Sequence, residues 1–297
     1  MNRSAARWIS LLTLVLATEC GWAATARVAR VFILSGQSNA RGRGQLAELE
    51  ADRRAPIPHA LIHFGERDWL PLPANSRGKG RARDEGFGVE LSFARAMREQ
   101  YPNDVVAICK TAISVGTPIV AWEKDHQRPG FLDDLNELNK VAKLKNKQGE
   151  LRHLYNELVQ STKRAIAQIE ARDDVSAVHL SGFLWLQNES DVKSLRACRQ
   201  YQSNLQQLVA NLRSDLNAPG LPALVMDFHI AGPEANVRAI KEGLRAAERE
   251  LPGLRVVSCD GLPTTDGIHF SSQGLWDLGL RFADAYRSMM TPAAPDP

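Results

Sequence analysis

Long apolar runs, a cysteine framework and a concentration of charge of one sign are all scarce in this chain. Beyond the N-terminal leader no stretch reaches the roughly 20 apolar residues that a membrane-spanning helix requires, which disfavours a transmembrane protein. The four cysteines include no Cys-x-x-Cys pair, and a cysteine-based zinc or redox site is disfavoured with it. Charge is nearly balanced, at a formal +3. Without a clustered basic face there is no nucleic-acid footprint. Arg41, Arg43, Lys79, Arg81 and Arg83 form the one local concentration, in glycine-bearing segments that read as loops. They are either a solvated surface or an attractor for an anionic ligand.

What is present begins with a leader. Met1 to Ala26 carries Arg3 and Arg7, an apolar run from Trp8 through Ala17, and Ala24-Thr25-Ala26 as a small-x-small processing site, the pattern of a secretory signal peptide. Cys20 follows a glutamate where a lipid-anchored cysteine would follow a small residue. A soluble, exported protein, periplasmic or extracellular, is expected. Residues 27–297 then form one α/β domain of about 270 residues rather than two. After loss of the leader Cys109, Cys198 and Cys259 remain, so at most one internal disulfide can form. Cys109 and Cys259 sit at or near the ends of apolar strand-like segments and read as buried thiols.

Val31 to Leu34 is an apolar run that reads as a core strand and ends abruptly in Ser35-Gly36-Gln37-Ser38-Asn39. A hydroxyl just past the carboxyl end of a core strand is rigidly held and open to the crevice where α/β sheets bind ligands. Ser38 is therefore a candidate nucleophile, although a Ser/Gly/Asn cluster is also ordinary turn chemistry. Near the other end of the sequence, Asp266 and His269 lie three residues apart around Gly267. A serine needs a base and the base needs a carboxylate to fix its tautomer, and Ser38, His269 and Asp266 fill those three roles. The same Asp-x-x-His spacing occurs in metal sites and in solvated surface turns.

GQSNARGRG at 36–44, WLQNESD at 185–191 and DGIHFS at 266–271 closely resemble the blocks of the SGNH-hydrolase superfamily. Within it the resemblance is to the carbohydrate acetylesterases, which include acetyl xylan esterases and the sialate O-acetylesterase domain. It spans about residues 29 to 287. It implies a three-layer α/β/α sandwich with a mostly parallel, flavodoxin-like sheet, and ester hydrolysis with no metal or organic cofactor. The implied substrate is an O-acetylated oligosaccharide or glycan, with xylan and sialic acid both open. The match selects Ser38 over Ser35, which would steady the turn. It also implies an oxyanion hole made by the N–H groups of Ser38 and Gly116 and the side-chain amide of Gln187, with Asn188 as the alternative donor. A bulge or turn glycine remains open for Gly116. The family commonly has glycine where Asn188 stands. Glu189 is the rival acid for His269; the closer spacing of Asp266 favours it, leaving Glu189 to hold its loop.

The intervening segments alternate strand and helix, which favours a parallel sheet covered on both faces. Residues 45 to 87, with four prolines, read as a surface excursion with one edge strand. Within it Trp69 is either a sugar platform or, by preference, a pin to the core. Helical periodicity covers 88–101, 151–169, 192–212, 234–250 and 273–289, and strands are expected at 105–109, 178–186, 223–228 and 254–258. The polar segment 123–150 reads as an insertion or mobile loop with one short helix. Asp191 is expected to cap the helix that follows it. His229 and Asp227 invite a metal reading but have no third ligand at short spacing, so a structural or rim histidine is preferred.

The chemistry expected is removal of the Ser38 proton by His269, attack on an acetyl ester, an acetyl-serine intermediate and its hydrolysis. Two other classes are a noncatalytic secreted glycan-binding domain and a metal-dependent phosphoesterase using Asp266, His269, Asp227 and His229. The leader generates a first test: intact-mass analysis of protein made in a host with export machinery should show loss of about residues 1–26. A cytoplasmic product that keeps Met1 would overturn the assignment.

Overall fold

The computed structural model describes residues 26–65, 67–73 and 86–291. Residues 1–25 of the expected leader, Cys20 among them, and Lys79, Arg81 and Arg83 lie outside the described residues. In chain order the elements are β1 (Arg27–Gly36), α1 (Ser38–Arg41), β2 (Gly44–Gln45), β3 (Ala60–Phe64), β4 (Leu70–Pro71), β5 (Gly86–Phe87), α2 (Glu90–Gln100), β6 (Val105–Ala112), α3 (Phe131–Glu137), α4 (Leu154–Glu170), β7 (Val175–Leu186), α5 (Leu195–Asp215), β8 (Ala223–Met226), α6 (Glu234–Glu250), β9 (Leu254–Val257) and α7 (Ser272–Met290).

Seven strands make the main sheet in the order β4-β3-β6-β1-β7-β8-β9. All its pairings are parallel except β3 with β4 at the edge. β2 and β5 form a separate antiparallel pair. The strands β6, β1, β7, β8 and β9 alone have flavodoxin-like order, with β3 and β4 added beyond β6. The chain moves from β1 outward to one side, then returns past β1 to build the other. The crevice at the carboxyl ends of β6, β1 and β7 is thus the topological switch point where open α/β sheets bind ligands.

β1 is buried on both faces because its side chains alternate between two cores. Phe32 and Leu34 join Leu91, Phe93, Met97, Leu275 and Phe282 beneath α2 and α7. Ile33 joins Phe183, Trp185, Leu158, Leu205 and Leu244 on the opposite face, beneath α4, α5 and α6. The molecule is a mixed α/β fold with helices on both sides of a mostly parallel sheet. Among the described residues no helix is long and apolar enough to cross a membrane.

Three sequence expectations change. The excursion of residues 45–87 contributes β3, a five-residue strand inside the main sheet; its brevity and the prolines before it hide it from pattern reading. Within it Trp69 is 9% exposed, donates its indole N–H to the Ala165 carbonyl at 2.9 Å and lies against the buried His63 ring, so it pins the edge of the sheet. The polar segment 123–150 is anchored: Phe131, Leu135 and Leu144 are buried in the same core as Trp185. A few apolar anchors suffice to seat a segment too polar to make a core of its own. Finally, Asp191 does not cap the following helix. Ser194 does, accepting from the Ala197 N–H at 3.2 Å, and the helix begins at Leu195. Cys109, Cys198 and Cys259 are free, buried thiols.

Candidate active site

β1 delivers its last residue in a conformation only glycine tolerates well. Gly36 has φ +136°, and a Cβ there would lie 2.1 Å from the Leu186 carbonyl oxygen of the neighbouring strand. That close passage lets the Gln37 N–H donate to the same carbonyl at 3.1 Å and swings the chain into α1. Ser38 is the first residue of that single turn and is 6% exposed, facing a crevice of about 560 Å³.

The turn before α7 meets it from above. His269 Nε2 lies 3.0 Å from Ser38 Oγ, and His269 Nδ1 lies 2.7 Å from Asp266 Oδ2. Asp266 Oδ1 accepts the backbone N–H groups of Ile268 at 3.0 Å and His269 at 2.7 Å. The His269 ring N–H first, and these backbone donors next, hold the Asp266 carboxyl well below the usual carboxylate range. An ionised carboxylate only accepts, so Nδ1 carries the imidazole proton and Nε2 is left to accept from the serine hydroxyl.

Two amides flanking Ser38 build the frame. Glu189, 4% exposed, accepts from Gln37 Nε2, from Asn39 Nδ2 at 2.6 Å and from the Asn188 N–H at 3.0 Å. It therefore does not orient His269. Asn39 continues to the C-terminal turn, donating to the Ile268 carbonyl at 3.0 Å and accepting from the Phe270 N–H at 3.3 Å. His229 Nε2 reaches the same Ile268 carbonyl at 2.9 Å while its ring stacks on Phe270. Asp227 accepts the Phe228 N–H. Among the described residues no group of three or more His, Cys, Asp or Glu side chains is placed to hold a metal ion.

The expected donors separate. Gly116 lies on the crevice with Ser38, and neither N–H has an acceptor among the described residues. Gln187 does not reach the crevice. Its amide Nε2 donates to the Thr117 carbonyl at 2.7 Å and to Asp191 at 2.6 Å, and the residue is fully buried. Asn188 is equally buried and donates to the Met226 carbonyl at 2.9 Å. Both side chains are spent on bracing the loops after β6 and β7 and the end of β8. Ser35 donates to the Thr111 carbonyl at 2.7 Å and ties β1 to β6.

Sequence reading missed the roles of Gln37 and Asn39, although two amides on either side of a serine at a buried strand end were a usable signal. It also missed Lys140, Lys143 and Lys193, which line the crevice together with Arg43; Val192, Ile230, Pro233 and Ile268 line it too. Among the described residues Glu189 is the one carboxylate lining it, and its oxygens accept from the amides. Coulomb attraction in such a concavity favours an anionic ligand.

Residues 28–288 match the family described as carbohydrate esterase, sialic acid-specific acetylesterase. A protein of Arabidopsis thaliana named as a probable carbohydrate esterase is 28% identical over 279 residues, covering 87% of this chain and 90% of that protein. The solved structure of an Arabidopsis thaliana protein superimposes with a TM-score of 0.68 at 24% identity, over 87% of this chain and 98% of its own. A carbohydrate acetylesterase from Xanthomonas citri gives 0.62 at 17% identity, over 88% and 56% of the two chains. NanS gives 0.61 at 16% identity, over 89% and 98%. At these identities the solved structures speak to the fold alone.

Asp191, beneath the site, generates a pH prediction. Burial pushes its carboxyl up from 3.8 to about 7, against the pull of the Gln187 amide and the Ile119 N–H. Between those values the folded chain holds a proton that the unfolded chain has released. Its contribution to stability is therefore full at low pH and lost as pH rises through about 7. The unfolding free energy of the wild type should fall relative to that of Asp191→Asn across this window, by at most about 4 kcal/mol. Urea denaturation at about pH 5 and about pH 8 measures it, and a pH-independent difference would contradict the shift.

Proposed function

The chain belongs to the carbohydrate esterase family of sialic acid-specific acetylesterases, and from that membership we propose that it is a serine esterase that removes O-acetyl groups from a glycan through an acetyl-Ser38 intermediate. The observation that carries this reading is the unbroken hydrogen-bonded series Asp266–His269–Ser38 at the mouth of the crevice. His269 Nε2 takes the hydroxyl proton as Ser38 Oγ bonds to the ester carbonyl carbon. The carbonyl oxygen, now negative, meets the N–H groups of Ser38 and Gly116. As the tetrahedral species collapses, the carbon–oxygen bond to the sugar breaks and the departing oxygen takes the proton from His269. Water then attacks the acetyl-serine and gives one proton to His269; as that proton returns to Ser38 Oγ, acetic acid leaves and ionises to acetate by losing its proton to solvent. Asp266 keeps the imidazole in the tautomer that each step needs.

The cations that line the crevice, Arg43, Lys140, Lys143 and Lys193, support an acidic sugar, such as a sialic acid or uronic-acid-bearing glycan, over neutral acetylated xylan. The leader of residues 1–26 supports an exported enzyme that works in the periplasm or outside the cell.

Ser38→Ala should abolish labelling by a covalent serine probe and lower acetyl-ester turnover by several orders of magnitude, with Ser35→Ala affecting stability instead. Peptide mapping that finds the label on Ser35, or undiminished turnover by Ser38→Ala, would refute the mechanism. Asp266→Asn leaves an acceptor that no longer selects the imidazole tautomer and should reduce the single-turnover rate by about 10³–10⁴ with the fold intact. Near-normal turnover by that variant, together with a dead and folded Glu189→Gln, would move the acid to Glu189.

A further inference from the structure

Gly116 carries one of the two N–H groups assigned to the oxyanion, yet a glycine is the residue least able to fix its own backbone. Its orientation is imposed from outside. The peptide group before it is held through the Val115 carbonyl, which accepts the Thr117 hydroxyl at 2.7 Å. The peptide group after it is held at both ends. Its N–H, that of Thr117, donates to Gln37 Oε1 at 2.9 Å. Its carbonyl, that of Gly116 itself, accepts from the Lys140 ammonium.

Lys140 comes from the polar segment 123–150, just after α3, and is 6% exposed. Its backbone N–H donates to the Leu135 carbonyl at 3.0 Å, so the side chain departs from a fixed point. A Cβ on Gly116 would lie 3.4 Å from the ammonium and 2.9 Å from Ser190 Oγ, so Gly116 is closely overlaid by both groups. Ser190 Oγ donates to the same Gln37 Oε1. Of the side chains that hold the Gly116–Thr117 peptide, Lys140 alone is charged, and charge-assisted bonds are about twice as strong as neutral ones. Burial first, then Lys193 and Lys143, lower its proton affinity, while Asp191 raises it. An ammonium kept in so unfavourable a place implies a contact worth keeping.

We propose that Lys140 is a positioning residue, which aims the Gly116 N–H at the oxyanion by anchoring the Gly116 carbonyl. The inference rests on reading Ser38 and Gly116 as parts of a serine esterase site. It also accounts for the polar segment, which brings a cation over the loop after β6 and onto the Gly116 carbonyl. Donors held in place before the reaction need no reorganisation as charge develops, and small misplacements are costly.

The test uses the full-length enzyme and a neutral ester, 4-nitrophenyl acetate, so that attraction of a substrate charge plays no part. Lys140→Met should lower kcat by about 10- to 100-fold with KM changed less than about threefold, and Lys140→Arg should recover part of the loss. Methylboronic acid, whose serine adduct mimics the tetrahedral species, should lose affinity in parallel with kcat/KM, whereas acetate should not. Thermal melting checks folding, and Lys140→Gln takes the place of the methionine variant if that fails to fold. A kcat within about twofold of wild type overturns the proposal. So does a loss confined to KM for an acidic acetylated sugar, which would make Lys140 a substrate contact, and so does equal weakening of acetate and boronic acid. Undiminished turnover by Ser38→Ala would instead refute the underlying esterase mechanism.

Discussion

A single buried carboxylate organises the site. Glu189 receives the amide of Gln37 on one side of Ser38 and the amide of Asn39 on the other, together with the Asn188 N–H. A carboxylate removed from water is tolerable only with its oxygens satisfied, and three donors from two strand ends accomplish that. The consequence is positional. Each amide has a second end: Gln37 Oε1 takes the Thr117 N–H and the Ser190 hydroxyl, while Asn39 takes the Phe270 N–H and gives to the Ile268 carbonyl. Through two side chains, the loops after β1, β6 and β7 and the turn before α7 share one frame, with Ser38 at its centre.

The same device recurs behind α1. Lys110 and Glu90 form an ion pair at 2.9 Å with both side chains fully buried, and the Lys110 ammonium also donates to the Arg41 carbonyl at 2.8 Å. Glu90 accepts the Gly88 N–H at 2.7 Å. Buried pairs of this kind contribute little net stability once desolvation is counted, and their use is to fix an arrangement. Here the arrangement is the far end of a one-turn helix too short to be stable alone. Glu189 holds its beginning and Lys110 its end.

The parts legible in the sequence were those in which residue type and local spacing determine the outcome. Asp266 and His269 are three residues apart, so one turn brings imidazole and carboxylate together whatever the rest of the chain does. The apolar run Val31–Leu34 had to be a core strand, and the alternation that followed had to cover it on both faces. Gln187 and Asn188 were different. Their amides could donate to an oxyanion or brace a loop, and only the tertiary partners they meet, Thr117 and Asp191 for one and Met226 for the other, decide between those roles. Asp191 likewise looked like a helix cap, but a short turn of Asp191–Lys193 intervenes and leaves Ser194 at the cap position. β3 and Lys140 were hidden because each depends on long-range packing, against β6 and over Gly116, that no local pattern encodes.

Three acidic residues near Ser38 show how environment rather than residue type decides the role. Asp191 is sealed under the loop, where burial raises its proton affinity until it titrates at about 7, so it would be a poor fixed charge for the imidazole. Glu189 accepts from Gln37, Asn39 and a backbone N–H, while the His269 Nδ1 bond goes to Asp266. Asp266 is the most exposed of the three, with 47% of its side chain open to solvent, and that exposure keeps the charged form cheap to maintain. Solvent screens it, but the short bond to His269 Nδ1 works through direction more than through field strength: the acceptor must be anionic and in line with one ring nitrogen, and two backbone N–H groups hold its other oxygen so that it is. Orientation of the imidazole thus asks for an acid that is ionised and immobile with one oxygen left for the ring, and of these three residues Asp266, in the turn before α7, meets that demand.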